Sequence, residues 1–157
     1  MKKAATGGTF AVIHKGHEAL FDRSSKASSL VTVGVTTSGL SPKSHLIPPF
    51  EVRSRQILRY FESHYGFRPI IAPLTDHYGP VVNDPEYSTL VTSEENLPFA
   101  CQIRMLRYKK GYPSLSIAVV HTVRAGDGRP ISSTRILNEE VDVTGRVLCE
   151  IEKDLPW

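Results

Sequence analysis

The chain of 157 residues is poor in cysteine and has no long apolar run. Its two cysteines, Cys101 and Cys149, form no CxxC pair and stand at no Cys/His metal-ligand spacing, which excludes a disulfide framework and a zinc site of that kind. No apolar run approaches the roughly 18 residues of a membrane helix, and the initial Met-Lys-Lys precedes no signal-type apolar stretch. We therefore expect a reduced, cytoplasmic protein without a membrane partner.

A large excess of charge of one sign is also missing. Nineteen basic and 16 acidic residues give a formal net charge of +3. This mild excess attracts anions but forms no basic stripe interleaved with aromatic residues, so nucleic acid is not an expected partner and small phosphorylated ligands are favoured. With 40% hydrophobic and 22% charged residues, we expect residues 1–157 to form a single domain.

Short apolar runs alternate with segments of helical period. Runs at 30–36, 69–74, 88–93 and 114–123, and a weaker one at 3–10, are typical of buried strands. Apolar residues recur at i, i+3 and i+4 spacing over 50–65 and again from 99 to 106. The alternation predicts an α/β fold built on an open, doubly wound parallel sheet.

The stretch GGTFAVIHKGHEAL, residues 7–20, follows the first predicted strand. In doubly wound sheets this strand-to-helix turn is a favoured ligand site, and its glycines let a ligand approach the backbone. A helix that starts near Lys15 would add unpaired amide groups at its N-terminus. His14 and His17 could then both donate hydrogen bonds to one polyphosphate. The alternative is that His14 only caps the helix and that His17 is an ordinary, partly buried imidazole.

A second polar cluster lies in DGRPISSTRI, residues 127–136, directly before a short amphipathic segment. One hydroxyl is enough to cap a helix, so Ser132, Ser133 and Thr134 together favour additional donors for phosphate oxygens. Arg135 would add a positive charge beside them. An ordinary serine-rich cap is the alternative.

Taken together, the two clusters resemble the HxGH nucleotidyltransferase superfamily. Within it, four segments resemble the archaeal and eukaryotic type of phosphopantetheine adenylyltransferase: PPFEVRSRQI, TDHYGPVVNDPEY, VTSEENLPFACQIRMLRYKKGYPSL and DGRPISSTRI. The likeness extends from about Lys3 to Asp142. It implies a Rossmann-like nucleotidyltransferase fold and adenylyl transfer from ATP to 4'-phosphopantetheine, which gives dephospho-coenzyme A and pyrophosphate, with Mg²⁺ accompanying ATP.

The resemblance also implies roles for individual residues. His17, His14 and Lys43 would be catalytic, and Thr9 and Lys43 would contact the phosphate of the incoming phosphopantetheine. The implied nucleotide-binding residues are Gly8, Phe10, His14, His17, Arg107, Ile131, Ser132, Ser133, Thr134 and Arg135. No residue is implied as a metal ligand, and the sequence carries no signal for the oligomeric state.

The chain departs from the family at two positions. Ala11 stands directly after Gly-Thr-Phe, where the family usually has Asp, and Arg104 stands where Asn is common. Arg104 either adds charge near Arg107 or is a solvated surface residue. Arg53 and Arg55 either line the acceptor's phosphate pocket or are exposed charges.

A last group of polar and turn-forming residues follows the third predicted strand. These residues either take part in function or only shape a loop: Asp76, Tyr78, Gly79 and Asp84.

Two further functions stay open on the sequence alone. The HxGH motif is shared with enzymes that join CTP to polyol phosphates or ATP to mononucleotides, so another acceptor is compatible with it. A non-catalytic regulator that binds nucleotide in the same pocket is the alternative from a different class.

Overall fold

The computed structural model describes residues 2–37 and 47–148. The elements follow one another as β1 (Lys3–Gly8), α1 (Lys15–Ala27), β2 (Val31–Thr36), α2 (Phe50–Tyr65), β3 (Ile70–Leu74), a 3₁₀ turn (Gly79–Val82), β4 (Tyr87–Ser93), α3 (Leu97–Lys109), β5 (Ser116–Val120) and α4 (Ser133–Leu137). Five strands form one sheet in the order β3-β2-β1-β4-β5. None of the helices in the described part of the chain is long and apolar enough to cross a membrane.

All four strand pairings are parallel, which confirms the predicted sheet. The chain winds from β1 outward to β2 and β3, and then returns to place β4 on the other side of β1. The direction of winding therefore reverses between β1 and β4. At such a switch point the carboxyl ends of the strands open a crevice in which ligands of α/β proteins bind.

The last strand is shorter than the sequence predicts. The apolar run extends over 114–123, but β5 covers only Ser116–Val120. The residues after Val120 leave the sheet because they pair with other segments. His121 and Thr122 contact the carboxylate of Glu94, and the carbonyl of Val123 accepts a hydrogen bond from the amide of Ile131.

Apolar side chains cover the two faces of the sheet separately. Helices α1 and α2 pack on one face, where Phe21, Val33 and Phe61 are fully buried. Helix α3 packs on the other face around Ala5 and Ile103. Burial of each large apolar side chain contributes about 1.5–3 kcal/mol, so both layers hold the sheet and its crevice in place.

The segment after β5 has a small core of its own, formed by Ala125, Ile131 and Val141. Backbone hydrogen bonding ties this segment to the start of α1, because the amide of Lys15 donates to the carbonyl of Val143 over 3.0 Å. The two polar clusters of the sequence, more than one hundred residues apart, therefore meet beside the carboxyl end of β1.

Candidate active site

His14 is the N-cap of α1. Its Nδ1 accepts a hydrogen bond from the amide of Gly16 at 3.0 Å, and its carbonyl accepts one from the amide of Glu18 at 2.9 Å. The helix begins at Lys15, as predicted. Because Nδ1 is an acceptor, the proton of the neutral ring lies on Nε2, which is then a donor for a ligand. The capping role and a ligand-binding role of His14 are therefore compatible.

His17 lies in the first turn of α1. Its ring stacks on that of His14, with ring centroids 3.8 Å apart and planes at 20°. Its Nδ1 is buried and makes no hydrogen bond of normal geometry among the described residues, although the backbone of Val12 lies close enough to favour the protonated ring. Burial, reinforced by the neighbouring His14, lowers the pKa of His17 to about 3. Burial also lowers the pKa of His14 to about 4. Both rings are therefore neutral in the free site near pH 7, and an anion beside them would raise both pKa values.

Phe10 supports His17 from behind. Its ring meets the imidazole edge-on at a centroid distance of 4.8 Å and lies against Gly8, where an added Cβ would be 3.1 Å from Cζ of Phe10. The backbone of Phe10 has a φ of 53°, in the left-handed region that residues other than glycine rarely adopt. Such strain costs on the order of 1–3 kcal/mol and is typical of functional turns.

Ser132 and Ser133 use their hydroxyl groups differently. Ser132 caps α4, its Oγ accepting from the amide of Arg135 at 3.2 Å. Ser133 Oγ lies 3.3 Å from both the amide nitrogen and the carbonyl oxygen of Val12. Ser133 therefore fixes the β1–α1 loop immediately beyond the buried Ala11, so this contact holds the loop although Ala11 has no carboxylate.

These segments enclose a cavity of about 310 Å³ on the α1 side of the sheet, which we call the histidine cavity. It brings together seven of the predicted nucleotide-binding residues: Gly8, Phe10, His14, His17, Ile131, Ser132 and Ser133. Thr134 and Arg135 do not line it. Its polar lining among the described residues consists of ring nitrogens, hydroxyl groups, the side-chain amide of Asn96 and one carboxylate, Glu95.

A second cavity of about 420 Å³ lies on the α3 side, and we call it the apolar cavity. Its lining includes the carboxylates of Asp76 and Glu95 and several large apolar or aromatic residues, which are Leu74, Tyr78, Val81, Leu90, Val91, Phe99 and Ile103. Glycine is favoured at position 34 in this lining, because a Cβ on Gly34 would lie 2.8 Å from the side chain of Leu74, which would have to move. The two cavities share Gly7, Gly8, Thr9, Glu95 and Asn96, so they meet at the end of β1.

The loop after β3 forms one wall of the apolar cavity. His77 stacks on Phe99 with centroids 4.3 Å apart, and the hydroxyl of Tyr78 donates to Gln102 over 2.8 Å. Asp76 Oδ1 accepts from the amides of Tyr78 and Gly79, which lowers the pKa of the Asp76 carboxyl and fixes the loop.

Asp84 has a structural position instead. It pairs with Lys3 at 3.1 Å and accepts a hydrogen bond from the amide of Glu86. It lines neither cavity.

Arg107 is not where the resemblance implies. It is 1% exposed and lines neither cavity. Its guanidinium donates to backbone carbonyls over 2.5–3.5 Å, and the acceptors are Val81, Asp84, Pro85, Tyr87 and Pro113. The expectation that Arg107 reaches nucleotide phosphates is therefore corrected: it holds the loop before β4 against α3.

Arg135 is likewise bound inside the protein. It forms ion pairs with Asp127 and Glu140 and donates to the carbonyls of Arg129 and Pro130. The hydrogen bond from Arg135 is the main reason why the pKa of Asp127 is lowered to about 2. Its charge is therefore neutralised by carboxylates, and the structure supports a role in fixing the loop that ends at Ser132 rather than contact with a phosphate.

Lys43, the predicted acceptor-binding lysine, lies outside the described residues. Of the two arginines near the start of α2, Arg55 is exposed, whereas Arg53 is 3% exposed and donates to the carbonyl of Thr9 over 2.8 Å. The sequence left open whether Arg53 lines the acceptor's phosphate pocket or is an exposed charge, and in the structure it does neither, since it is buried and lines neither cavity. The available signal was its position on the buried face of α2, four residues before Ile57.

No cluster of three or more potential metal ligands occurs among residues 2–37 and 47–148. Among the described residues, Glu95 is the one acidic side chain that lines the histidine cavity. The imidazole nitrogens and hydroxyl groups of that lining suit the phosphates of a nucleotide.

Comparison with known proteins agrees with this geometry. The chain is 39% identical over 141 residues to the phosphopantetheine adenylyltransferase of Methanopyrus kandleri, covering 88% of this chain and 90% of that protein. It is 36% identical over 148 residues to the phosphopantetheine adenylyltransferase of Archaeoglobus fulgidus, covering 93% and 99%. No protein-family model matches the chain.

Solved structures support the fold. A protein with unknown function from Archaeoglobus fulgidus superposes with a TM-score of 0.70 at 32% identity, covering 75% of this chain and 88% of that one. A putative nicotinate-nucleotide adenylyltransferase from Vibrio parahaemolyticus superposes with a TM-score of 0.54 at 14% identity, covering 91% and 82%. The second likeness concerns the fold alone.

Proposed function

Because this chain belongs to the phosphopantetheine adenylyltransferase family, we propose that it transfers the adenylyl group of ATP to 4'-phosphopantetheine, a step of coenzyme A biosynthesis. The observation that carries the proposal is the pair of cavities that meet at Thr9. One cavity offers hydrogen-bond donors to phosphates, and the other offers apolar surface to an amide-containing chain. The products are dephospho-coenzyme A and pyrophosphate.

Mg²⁺-ATP would bind in the histidine cavity as the nucleotide substrate. Nε2–H of His14 faces the phosphate chain as a donor, because Nδ1 is occupied by the helix cap. The buried Nδ1 of His17 leaves Nε2 as the ring nitrogen for the α-phosphate. Ser132 and Ser133 line the far side of the cavity. The hydroxyl of Ser132 only accepts at the helix cap, so its proton would be donated to the β- and γ-phosphates, whereas Ser133 would first have to give up its bond to the carbonyl of Val12.

The apolar cavity would hold the pantetheine chain. Leu74, Tyr78 and Phe99 provide apolar contact along it, and Thr9 lies at the junction where the phosphate must reach the nucleotide. The resemblance adds Lys43 as a second contact to this phosphate. A pocket with this lining favours a flexible, largely uncharged chain over a second nucleotide.

The reaction needs no basic side chain. A phosphate oxygen of 4'-phosphopantetheine, already ionised near neutral pH, attacks the α-phosphorus of ATP. The new P–O bond forms as the bond to the pyrophosphate oxygen breaks, and pyrophosphate leaves with its electron pair. The barrier is the repulsion between two polyanions, so catalysis rests on positioning and on N–H donors that face the developing charge.

The test is an incubation of purified protein with Mg²⁺-ATP and 4'-phosphopantetheine, in which pyrophosphate is followed and the product mass is determined. We expect dephospho-coenzyme A. Parallel reactions replace ATP by CTP, or the acceptor by polyol phosphates and mononucleotides. Pyrophosphate from another pair alone would overturn the acceptor assignment, and ATP binding without pyrophosphate from any pair would indicate a regulator.

A further inference from the structure

Arg53 is a buried cation without a carboxylate partner in the described part of the chain. The residue is 3% exposed, and none of the ion pairs among those residues includes it. Buried charged groups in proteins are normally paired, because removal of an ion from water is costly. Burial lowers the pKa of Arg53, and the charge of Glu51 raises it by a smaller amount. Glu51 lies on the same turn of α2 and is exposed.

The hydrogen bonds of Arg53 converge on the end of β1. Its Nε donates to the carbonyl of Pro48 over 2.7 Å, and Nη1 donates to the carbonyl of Thr9 over 2.8 Å. Nη1 also lies 3.5 Å from the hydroxyl of Thr36, which itself donates to the hydroxyl of Thr9 over 3.2 Å. Arg53 thus fixes both the backbone and the hydroxyl group of Thr9.

Arg53 itself lines neither cavity, whereas Thr9 lines both and Thr36 lines the apolar one. Any effect of Arg53 on a ligand is therefore exerted through Thr9 and through its own charge behind the cavity wall. The histidine cavity receives no direct contact from it, since His14 and His17 are fixed by the helix cap, by stacking and by Phe10.

We propose that Arg53 is a positioning residue for the acceptor: it fixes Thr9 for the phosphate of 4'-phosphopantetheine and supplies a positive charge that this phosphate balances. The inference rests on the proposed function. It predicts that Arg53 determines affinity for the acceptor much more than affinity for ATP.

Two variants separate the charge from the hydrogen-bond geometry. R53M removes both, whereas R53K keeps the charge but has one ammonium group for two diverging carbonyls. Between unit charges about 8 Å apart, at an effective dielectric of about 20, the attraction corresponds to roughly 30-fold in affinity. R55M is the matched control, because Arg55 is exposed on the same helix and lines neither cavity.

The experiment is calorimetric titration of 4'-phosphopantetheine, and separately of Mg²⁺-ATP, into the unsubstituted protein and the three variants. We expect R53M to weaken acceptor binding on the order of 30-fold, R53K to weaken it less, and R55M to leave it unchanged. The affinity for Mg²⁺-ATP should fall clearly less than the affinity for the acceptor in both Arg53 variants, since Coulomb attraction weakens with distance and the nucleotide phosphates would lie farther from Arg53. Should R53M fail to fold, the comparison of R53K with R55K still tests the positioning of Thr9: acceptor binding should weaken in R53K and stay unchanged in R55K.

A merely structural role would weaken both ligands together and would not be rescued by lysine. Equal losses for acceptor and nucleotide, or unchanged acceptor binding in both Arg53 variants, would therefore overturn the inference while leaving the proposed function intact. If the unsubstituted protein does not bind 4'-phosphopantetheine, the proposed function fails, and the inference fails with it.

Discussion

The two cavities meet at the carboxyl end of the sheet, and apart from the residues they share they are lined by different side chains. The histidine cavity has neutral imidazoles and hydroxyl groups fixed by a helix cap and by the segment after β5. The apolar cavity has leucine, valine and aromatic side chains, and its outer wall is a loop docked on α3. They share the backbone at the end of β1.

The difference indicates a division of work within the protein. Under the proposed function, the groups that would respond to developing charge lie on the α1 side, and the groups that would contact the pantetheine chain lie on the α3 side. Substitutions on one side should therefore change the handling of one substrate and leave the other nearly unaffected.

The largest effect is expected for R107M, which should destabilise the whole fold and not one substrate site. The change leaves buried carbonyls of the loop before β4 without donors, at about 1–3 kcal/mol for each unsatisfied group. We expect a loss of at least about 3 kcal/mol in the free energy of unfolding, measured by urea denaturation. R104M, on the exposed side of α3, is the control. Near-normal stability with a raised KM for ATP would restore the phosphate role of Arg107.

His17→Ala tests the histidine cavity. Loss of a donor to a developing charge typically costs on the order of 100-fold in kcat, and we expect that loss with the KM for 4'-phosphopantetheine little changed. Steady-state kinetics with each substrate varied in turn gives the answer. His64→Ala, an exposed histidine on α2, should behave like the unsubstituted protein. A kcat within threefold of normal for His17→Ala would remove His17 from catalysis.

Phe99→Ala tests the apolar cavity and should show the opposite pattern. It removes an aromatic ring from the wall and the stacking partner of His77. Loss of this contact, on the order of 1–2 kcal/mol, predicts a KM for 4'-phosphopantetheine raised about tenfold, with the KM for ATP unchanged. Tyr108→Ala, which removes an exposed ring from the same helix, is the control. A rise in the KM for ATP alone would reverse the assignment of the two cavities.

Gly16→Ala should have the smallest effect on activity. It should also change activity without a loss of stability. A Cβ at this position would lie 2.9 Å from Cε1 of His14, so the capping imidazole must shift. Alanine is favoured over glycine in a helix by about 0.5–1 kcal/mol, so stability should be retained. We expect the affinity for ATP to fall by up to about tenfold, because the N–H donor of His14 is displaced but not removed. Unchanged nucleotide binding would show that the orientation of His14 is unimportant.

The histidine side of the site could be predicted from the sequence because it is built from local patterns. The helix start with its cap three residues before His17 is visible within a few residues, and so is the hydroxyl-rich segment before a short helix, although the two patterns lie far apart in the chain. The alternation of apolar runs and helical periods likewise predicted the parallel sheet, which the structure confirms.

The buried arginines could not be predicted in this way. Arg107 lies near the end of an amphipathic helix, and its carbonyl partners come mainly from a loop about twenty residues earlier in the chain. The sequence pattern of an arginine in a helix is the same in both cases, whether its guanidinium contacts a ligand or donates to distant carbonyls. Arg53 was equally ambiguous, because its contact with Thr9 spans 44 residues and depends on how α2 packs on β2.

The most direct test of the two-cavity account is a crystal structure with 4'-phosphopantetheine and an ATP analogue in which methylene replaces the oxygen between the α- and β-phosphates. We expect both ligands to bind in one complex, with the nucleotide phosphates beside His14, His17 and Ser132. The pantetheine chain should lie between Leu74 and Phe99, with its phosphate at Thr9. Nucleotide phosphates on the α3 side, or one cavity that takes both ligands in competition, would contradict it.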